Sequence, residues 1–386
     1  MNDPIEQLRG FQRRLLEMVR SEHDRLGAVT DDHCLLRDDV FNDLSLELTS
    51  LQSKANPHFA AQVEQSNQGL SLLYHWKNIP AISTHAFKAL DWTCLPASDR
   101  TRVFHSSGTT GSETSKHWHS DTSLELYEEL LLRWFHEHPP WNLKQFLVKE
   151  CVFLTPEPSR VPHSSLVHMF STIAKDLPQE VVHRFAGQLG RDGNWDLPME
   201  QTIQELGGLK HPVCLFGTAF LYVHLLDYLE SKGQQLSLPE GSMVFETGGY
   251  KGKSREIPKE HLYKQLAVKL GVEKRHFICE YGMSELSSQA YDAQIDPGNL
   301  STFGATPRRF QFPPWARCRV ISPETGLEVG YGETGMIHVI DLANIWSCLS
   351  VLTEDVAIRH KEGFEVIGRS ADAGPRGCSL MSDDFV

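Results

Sequence analysis

The sequence predicts an α/β fold with a helical beginning and a smaller β-rich unit near its end. Three observations carry this. Apolar residues recur at helical spacing in the first hundred residues, as at Phe41, Leu44, Leu48 and Leu51. From Gln145 onward, strand-like runs alternate with amphipathic helical ones, which points to layered sheet and helix. From residue 308 onward, strand-like runs follow one another and are joined by Gly/Pro turns.

Each part follows in order. Residues 1–100 read as a helical region with turns at Asn56-Pro57 and Ile79-Pro80. The Phe41 to Leu51 stripe is expected to pack into a core. A core unit spans 101–305. It opens with a Gly/Ser/Thr-rich loop after Val103-Phe104 and an amphipathic helix from Thr122 to His136. Strands are expected at Phe146–Leu154, Val213–Phe216, Ser242–Glu246 and Phe277–Glu280, and helices at Phe220–Lys232 and Lys259–Gly271. The β-rich unit, 306–372, has runs at Arg317–Ser322 and Met336–Asp341. Val351, Val356, Ile358, Phe364 and Val366 continue its pattern. Residues 373–386 read as a flexible tail, given reach by Gly374 and Gly377. No internal repeat or low-complexity segment is visible.

Composition narrows the function. The chain has 386 residues, 40% hydrophobic and 23% charged, enough to build a sizeable core. The net charge is -13 and no long Lys/Arg run occurs, so no nucleic-acid partner is expected. No signal peptide is expected, because Met1 to Arg20 lacks an uninterrupted apolar stretch. No membrane span is expected either. The longest candidate, Leu124 to Phe135, is broken by Glu128, Glu129 and Arg133. The eight cysteines are scattered without a CxxC pair, which suits a reducing, cytoplasmic setting.

Four segments could carry chemistry. Ser106-Ser-Gly-Thr-Thr-Gly-Ser-Glu-Thr-Ser-Lys116 offers glycines for close approach, hydroxyls and amides for phosphate oxygens, and a cation. It is not a Walker loop, since no Gly-Lys-Ser/Thr closes it. Glu246-Thr-Gly-Gly-Tyr-Lys-Gly-Lys-Ser-Arg255 runs from a strand into paired glycines and basic residues, which suits a flat or anionic ligand. Glu280-Tyr-Gly-Met-Ser-Glu285 delivers a ring, a hydroxyl and a carboxylate from a strand end, a natural nucleotide and Mg²⁺ site. Leu352-Thr-Glu-Asp355 with Gly368-Arg-Ser-Ala-Asp372 supplies an acid for ribose hydroxyls and an arginine. Each segment alone also reads as an ordinary surface turn. Gly330-Tyr-Gly-Glu-Thr-Gly335 fits GxGxxG, but a strand follows it, so a β-hairpin turn is expected there. His117-Trp-His119 lacks identifiable metal partners and is read as packing or as facing an acyl phosphate.

The order of these segments resembles the adenylate-forming superfamily of acyl-CoA synthetases, luciferases and peptide-synthetase adenylation domains. Within it the chain is most similar to the acyl-protein synthetases of bacterial bioluminescence, the LuxE type. The likeness also takes in the Phe41 to Gln52 helix, Ile79-Pro-Ala-Ile82, Ala86-Phe-Lys88 and Arg376-Gly-Cys-Ser-Leu380. It implies a large adenylate-forming domain of layered sheets and helices with a β-rich subdomain. It implies that Ser107, Gly108, Thr109, Thr110, Gly111 and Lys116 hold the ATP phosphates. Gly248, Gly249, Tyr281 and Gly282 would frame the adenine; Ser284 and Glu285 would serve the acyl phosphate and Mg²⁺; Asp355 and Arg369 would hold the ribose.

Three departures stand out. The superfamily's Thr-Gly-x-Pro-Lys loop here has a later lysine, Lys116, and no proline. Its Thr-Gly-Asp reads Thr353-Glu-Asp355. Only fourteen residues follow Asp372, so the mobile C-terminal domain with its catalytic lysine is expected to be absent, as in acyl-protein synthetases. Cys378 by itself reads as a terminal thiol whose pKa Arg376 could lower. The likeness implies that it takes the acyl group as a thioester and delivers it to an acyl reductase. The substrate implied is a fatty acid. Two other readings stay open: an acyl- or aryl-CoA ligase, and a non-catalytic subunit that binds nucleotide or acyl chains.

Overall fold

A computed structural model describes residues 3–23, 37–66, 70, 73–106, 114–137, 148–191, 193–250, 254–292 and 308–369. The expected helical start is present as α1 (Pro4–His23) and α2 (Asp38–Ala55). Phe41, Leu44, Leu48 and Leu51 are buried, so the stripe packs inward as its spacing requires. Asn56 ends α2 and accepts the amide N–H groups of His58 and Phe59, which caps α3 (Pro57–Gln65) with Pro57 in its first turn. β1 (Ile82–Ser83) and α4 (Ala86–Ala89) follow. β2 (Arg102–His105) and β3 (Lys116–His119) form an antiparallel pair whose connection carries the Ser/Gly/Thr loop. α5 (Asp121–Glu137) comes next, close to its expected bounds.

The core sheet is built from β4 (Glu150–Phe153), β5 (Val182–Phe185), β8 (Val213–Thr218), β9 (Met243–Thr247), β10 (Phe277–Tyr281) and β11 (Ala290–Tyr291). Between β5 and β8 lie a small hairpin, β6 (Gln188–Leu189) with β7 (Trp195–Asp196), and α7 (Met199–Gly207). The strand order is β11-β10-β9-β8-β4-β5, parallel except for β11. Helices α6 (Ser165–Asp176), α8 (Ala219–Ser231) and α9 (Lys259–Leu270) link successive strands. Strands β8, β9 and β10 read as continuous apolar runs because a parallel sheet is covered on both faces. From β4 the chain moves outward to β5. From β8 it moves the other way, to β9 and β10. The order therefore reverses between β4 and β8, and the crevice beyond their carboxyl ends is where open α/β sheets bind ligands.

The β-rich part forms a second sheet from β12 (Ala316–Ile321), β13 (Thr334–Asp341), β14 (Ser350–His360) and β15 (Gly363–Arg369). β13 lies on one edge of β14. β1 and β15 share the other edge, at Val351–Leu352 and Asp355–His360 respectively. β1 thus ties the helical beginning to this sheet, in parallel register. Gly330–Gly335 runs into β13 rather than a helix, with Gly332 at φ 83°, so it is a hairpin turn as expected. Two apolar clusters fill the interior, and Trp134 of α5 packs against both.

Candidate active site

The loop between β2 and β3 is closed at its base. Ser106 Oγ accepts the Ser115 amide at 2.9 Å, and the Ser106 amide donates to the Ser115 carbonyl at 3.3 Å. Ser107, Gly108, Thr109, Thr110 and Gly111 lie outside the described residues. Lys116 starts β3 with its side chain exposed, opposite His105 in the register. Strand alternation turns His117 and His119 to the buried face. His117 Nδ1 lies 2.5 Å from the Ser284 carbonyl, so Nδ1 carries the proton. Burial lowers the His117 pKa, which keeps the ring neutral. The contact joins the loop-bearing hairpin to the Ser284-Glu285 turn, 167 positions away.

The strand ends supply the next wall. Gly248 follows β9 at φ 68°, a conformation that favours glycine, and a Cβ there would meet only Thr218 Cγ2 at 4.0 Å. A Cβ on Gly249 would meet nothing within 4 Å. The backbone past β9 is therefore open to a flat ligand. Lys251 and Lys253 lie outside the described residues. Arg255 is engaged by Asp227 at 2.7 Å and is not brought to these glycines. Past β10, a Cβ on Gly282 would run into the Glu280 carboxylate, so any larger residue there must displace that side chain.

Two parts of the site come from distant motifs. The Tyr281 hydroxyl donates to Asp355 Oδ2 at 2.9 Å, and Arg369 Nε donates to Asp355 Oδ1 at 3.1 Å. Burial first, and then the Asp355 charge, push the Tyr281 phenol well up, so it stays a donor. Its ring sits among Phe310, Phe312 and Phe364, at 5.8, 6.3 and 5.6 Å between centroids. Thr353 Oγ1 accepts the Asp355 amide at 3.1 Å, and this turn holds the acid without the glycine that the superfamily places between Thr and Asp.

Glu285 is 1% exposed and receives the Ser284 hydroxyl at 2.9 Å. Its backbone is fixed from behind. Asn344 Nδ2 donates to the Glu285 carbonyl at 2.9 Å and to the Cys348 carbonyl at 2.7 Å. Asp341 accepts the Ser287 amide at 3.0 Å and the Ser288 hydroxyl at 2.8 Å. Gln52 of α2 donates to the Asn344 and Ile345 carbonyls at 2.8 and 3.0 Å. Asp341, Asn344 and Gln52 were not candidates by sequence. Only their polarity inside apolar stretches could have marked them, and that pattern is common at helix faces and turns. Cys378 lies outside the described residues. Among the described residues, no group of three or more His, Cys, Asp or Glu could hold a metal ion. No helix there is long and apolar enough to cross a membrane.

Comparison with known proteins adds an independent line. A family model described as "Acyl-protein synthetase, LuxE" matches residues 64–386. Two relatives are each a long-chain-fatty-acid–luciferin-component ligase. The one from Vibrio harveyi is 23% identical over 202 residues, covering 49% of this chain and 50% of that protein. The one from Aliivibrio fischeri is 21% identical over 207 residues, covering 50% and 52%. The matched stretch thus spans about half the length of these curated relatives. A solved 2-hydroxyisobutyryl-CoA ligase, in an open conformation with 2-HIB-AMP and CoA, superposes with a TM-score of 0.62 at 13% identity. The superposition covers 87% of this chain and 75% of that one and shows a shared fold. The same ligase in its postadenylation state gives 0.61 at 14% identity, covering 87% and 68%.

Proposed function

The chain belongs to the acyl-protein synthetase family, LuxE type, and from that premise we propose that it activates a carboxylic acid with ATP and passes the acyl group to Cys378. The observation that carries this reading is Asp355, held between the Tyr281 hydroxyl and Arg369. Three motifs that the family likeness assigns to the nucleotide meet at one carboxylate. The class of acid named for the relatives is a long-chain fatty acid.

A carboxylate is a poor electrophile because its charge repels nucleophiles and its leaving group is oxide. One carboxylate oxygen attacks the α-phosphorus of ATP, a P–O bond forms, and pyrophosphate departs. The product is a mixed anhydride with AMP. The Cys378 thiolate then attacks the acyl carbon, a C–S bond forms, the C–O bond to AMP breaks, and AMP leaves. An acyl reductase is the natural consumer of such a thioester.

The residues divide the work. Ser107, Gly108, Thr109, Thr110 and Gly111 cradle the phosphates, with Lys116 adding charge from the first position of β3. Gly248 and Gly249 leave room for the base, and Tyr281 and Gly282 bound it on the other side. Asp355 takes the ribose hydroxyls, and Arg369 holds and aims that acid through its other oxygen. The neutral His117 holds the Ser284 carbonyl, and the Ser284 hydroxyl, which donates to Glu285, serves the acyl phosphate. Mg²⁺ binds through few protein carboxylates, with phosphate oxygens and water completing its shell, and a single buried Glu285 suits that need. When bound, the ion neutralises phosphate charge.

Acid-dependent exchange of labelled pyrophosphate into ATP tests the first step. Exchange that requires a fatty acid and is lost in Glu285→Gln is expected. Tight ATP binding without exchange would contradict the reading and favour a non-catalytic subunit.

A further inference from the structure

The carboxyl edge of the core sheet carries a row of polar side chains that the nucleotide chemistry does not use. Thr218 pairs with Thr247 in the β8–β9 register, and Thr247 pairs with Glu280 in the β9–β10 register. Phe153 pairs with Phe216, and the ladder continues past it. The Leu154 amide donates to the Phe216 carbonyl at 2.7 Å and the Gly187 amide to the Thr155 carbonyl at 3.0 Å. Thr155 therefore extends the row. Pleat alternation puts these four residues two positions beyond Phe153, Phe216, Phe245 and Ile278, on the same face. The three phenyl rings of that inner row all contact Phe170 of α6, at 5.4, 5.5 and 5.9 Å.

The four polar groups are not equivalent. Thr247 donates its hydroxyl to Glu280. Thr155 and Thr218 are fully buried, and their hydroxyls have no hydrogen-bond partner among the described residues. A buried orphan hydroxyl costs roughly 1–3 kcal/mol, so two beside each other on neighbouring strands call for an explanation. They flank the point where the strand order reverses, the place where open α/β sheets receive ligands.

We infer that Thr155, Thr218, Thr247 and Glu280 form a hydrogen-bonding subsite that selects an acid bearing a hydroxyl group over an unsubstituted chain. The inference rests on the adenylation reading and specifies its substrate. A hydroxyl can accept from a threonine and donate to the Glu280 carboxylate at once. The phenyl row beneath, packed on Phe170, closes the subsite with an apolar floor. An anionic group would lack a free cation here among the described residues. The cations beside these strands, Lys259 and Arg308, are committed on the opposite face, where Glu246 and Asp292 lie within 3.9 Å of Lys259 and Asp292 lies 3.3 Å from Arg308. An ammonium group would need a charged partner. Burial instead pushes the Glu280 carboxyl up to about 7, toward its neutral form.

The test pairs octanoate with its α-, β- and ω-hydroxy derivatives in pyrophosphate release, using the wild-type chain, Thr218→Val and Thr155→Val. Both substitutions keep the shape and remove only the orphan hydroxyl. The wild type should prefer one hydroxy acid. Each variant should lower kcat/KM for that acid by roughly fivefold relative to octanoate. Each variant without ligand should also melt at a higher temperature, because it buries one unpaired polar group fewer. Equal use of octanoate and all three hydroxy acids, with their ratios unaltered in the variants, would overturn the subsite and leave the adenylation reading intact. If no acid releases pyrophosphate, the adenylation reading fails and thermal shift decides the subsite. A hydroxy acid that stabilises the wild type but not Thr218→Val supports it, and the absence of that difference overturns it. Variants that melt lower than the wild type would show that the hydroxyls are satisfied structurally, which also overturns it.

Discussion

The Tyr281 hydroxyl donates to Asp355 Oδ2 at 2.9 Å, across 74 positions of sequence. The bond links β10 of the parallel sheet to β14 of the antiparallel one, and Arg369 on β15 completes it through the other carboxylate oxygen. Asp355→Asn keeps the shape but removes the charge that Arg369 opposes. It should raise KM for ATP about tenfold, equivalent to ~1.4 kcal/mol, with a smaller change in KM for the acid. Initial rates at varied ATP check this.

Asn344 holds the Glu285 and Cys348 carbonyls with one amide. Asn344→Ala leaves two buried acceptors unpaired and should destabilise the fold by roughly 2–4 kcal/mol. It should also lower kcat more than KM, because Glu285 loses its fixed backbone while the nucleotide walls remain. Urea denaturation and steady-state rates on the same preparation separate the two effects.

Glu280 gives a pH signature. Burial raises its pKa from 4.5 to about 7, with the Glu246 charge adding to the rise and the Thr247 hydrogen bond opposing it. The folded state therefore holds its proton to higher pH than the unfolded state does. This contribution to stability is fully present below 4.5 and is lost as pH rises through about 7. Asp341, raised to about 6 by burial, acts in the same direction. Glu280→Gln should flatten the decline in Tm between about pH 5 and pH 8; the buried His117, His119 and His338, whose pKa values burial lowers, act in the opposite direction in both proteins. A slope identical to that of the wild type would contradict the assignment.

Much of the fold was legible because local pattern and tertiary role agree. The Phe41 to Leu51 stripe, the apolar runs of β8, β9 and β10, and the turn at Gly330–Gly335 all read correctly. The expected strand at Phe146–Leu154 is narrower, Glu150–Phe153, within the described residues. The stretch from Pro156 to Pro212 gave no assignment, yet it contains α6, the edge strand β5, the β6–β7 hairpin and α7. β5 pairs on one edge only, and its exposed Val182 and His183 show no clear alternation. Among the proposed site residues, those in short glycine-bearing motifs could be named from the sequence. Gln52, Asp341 and Asn344 were not, because their roles depend on partners brought in from elsewhere in the chain: Gln52 reaches Asn344 across 292 positions. Thr155, Thr218 and Thr247 form a row only once strand order and register are known.

The central claim is that Cys378 carries the acyl group. Intact mass of the protein after incubation with ATP, Mg²⁺ and a fatty acid, before and after neutral hydroxylamine, tests it most directly. The expected result is a single acyl adduct that hydroxylamine removes and that Cys378→Ala never forms. An acyl-CoA product made equally well by Cys378→Ala when CoA is supplied, with no adduct on the protein, would contradict it.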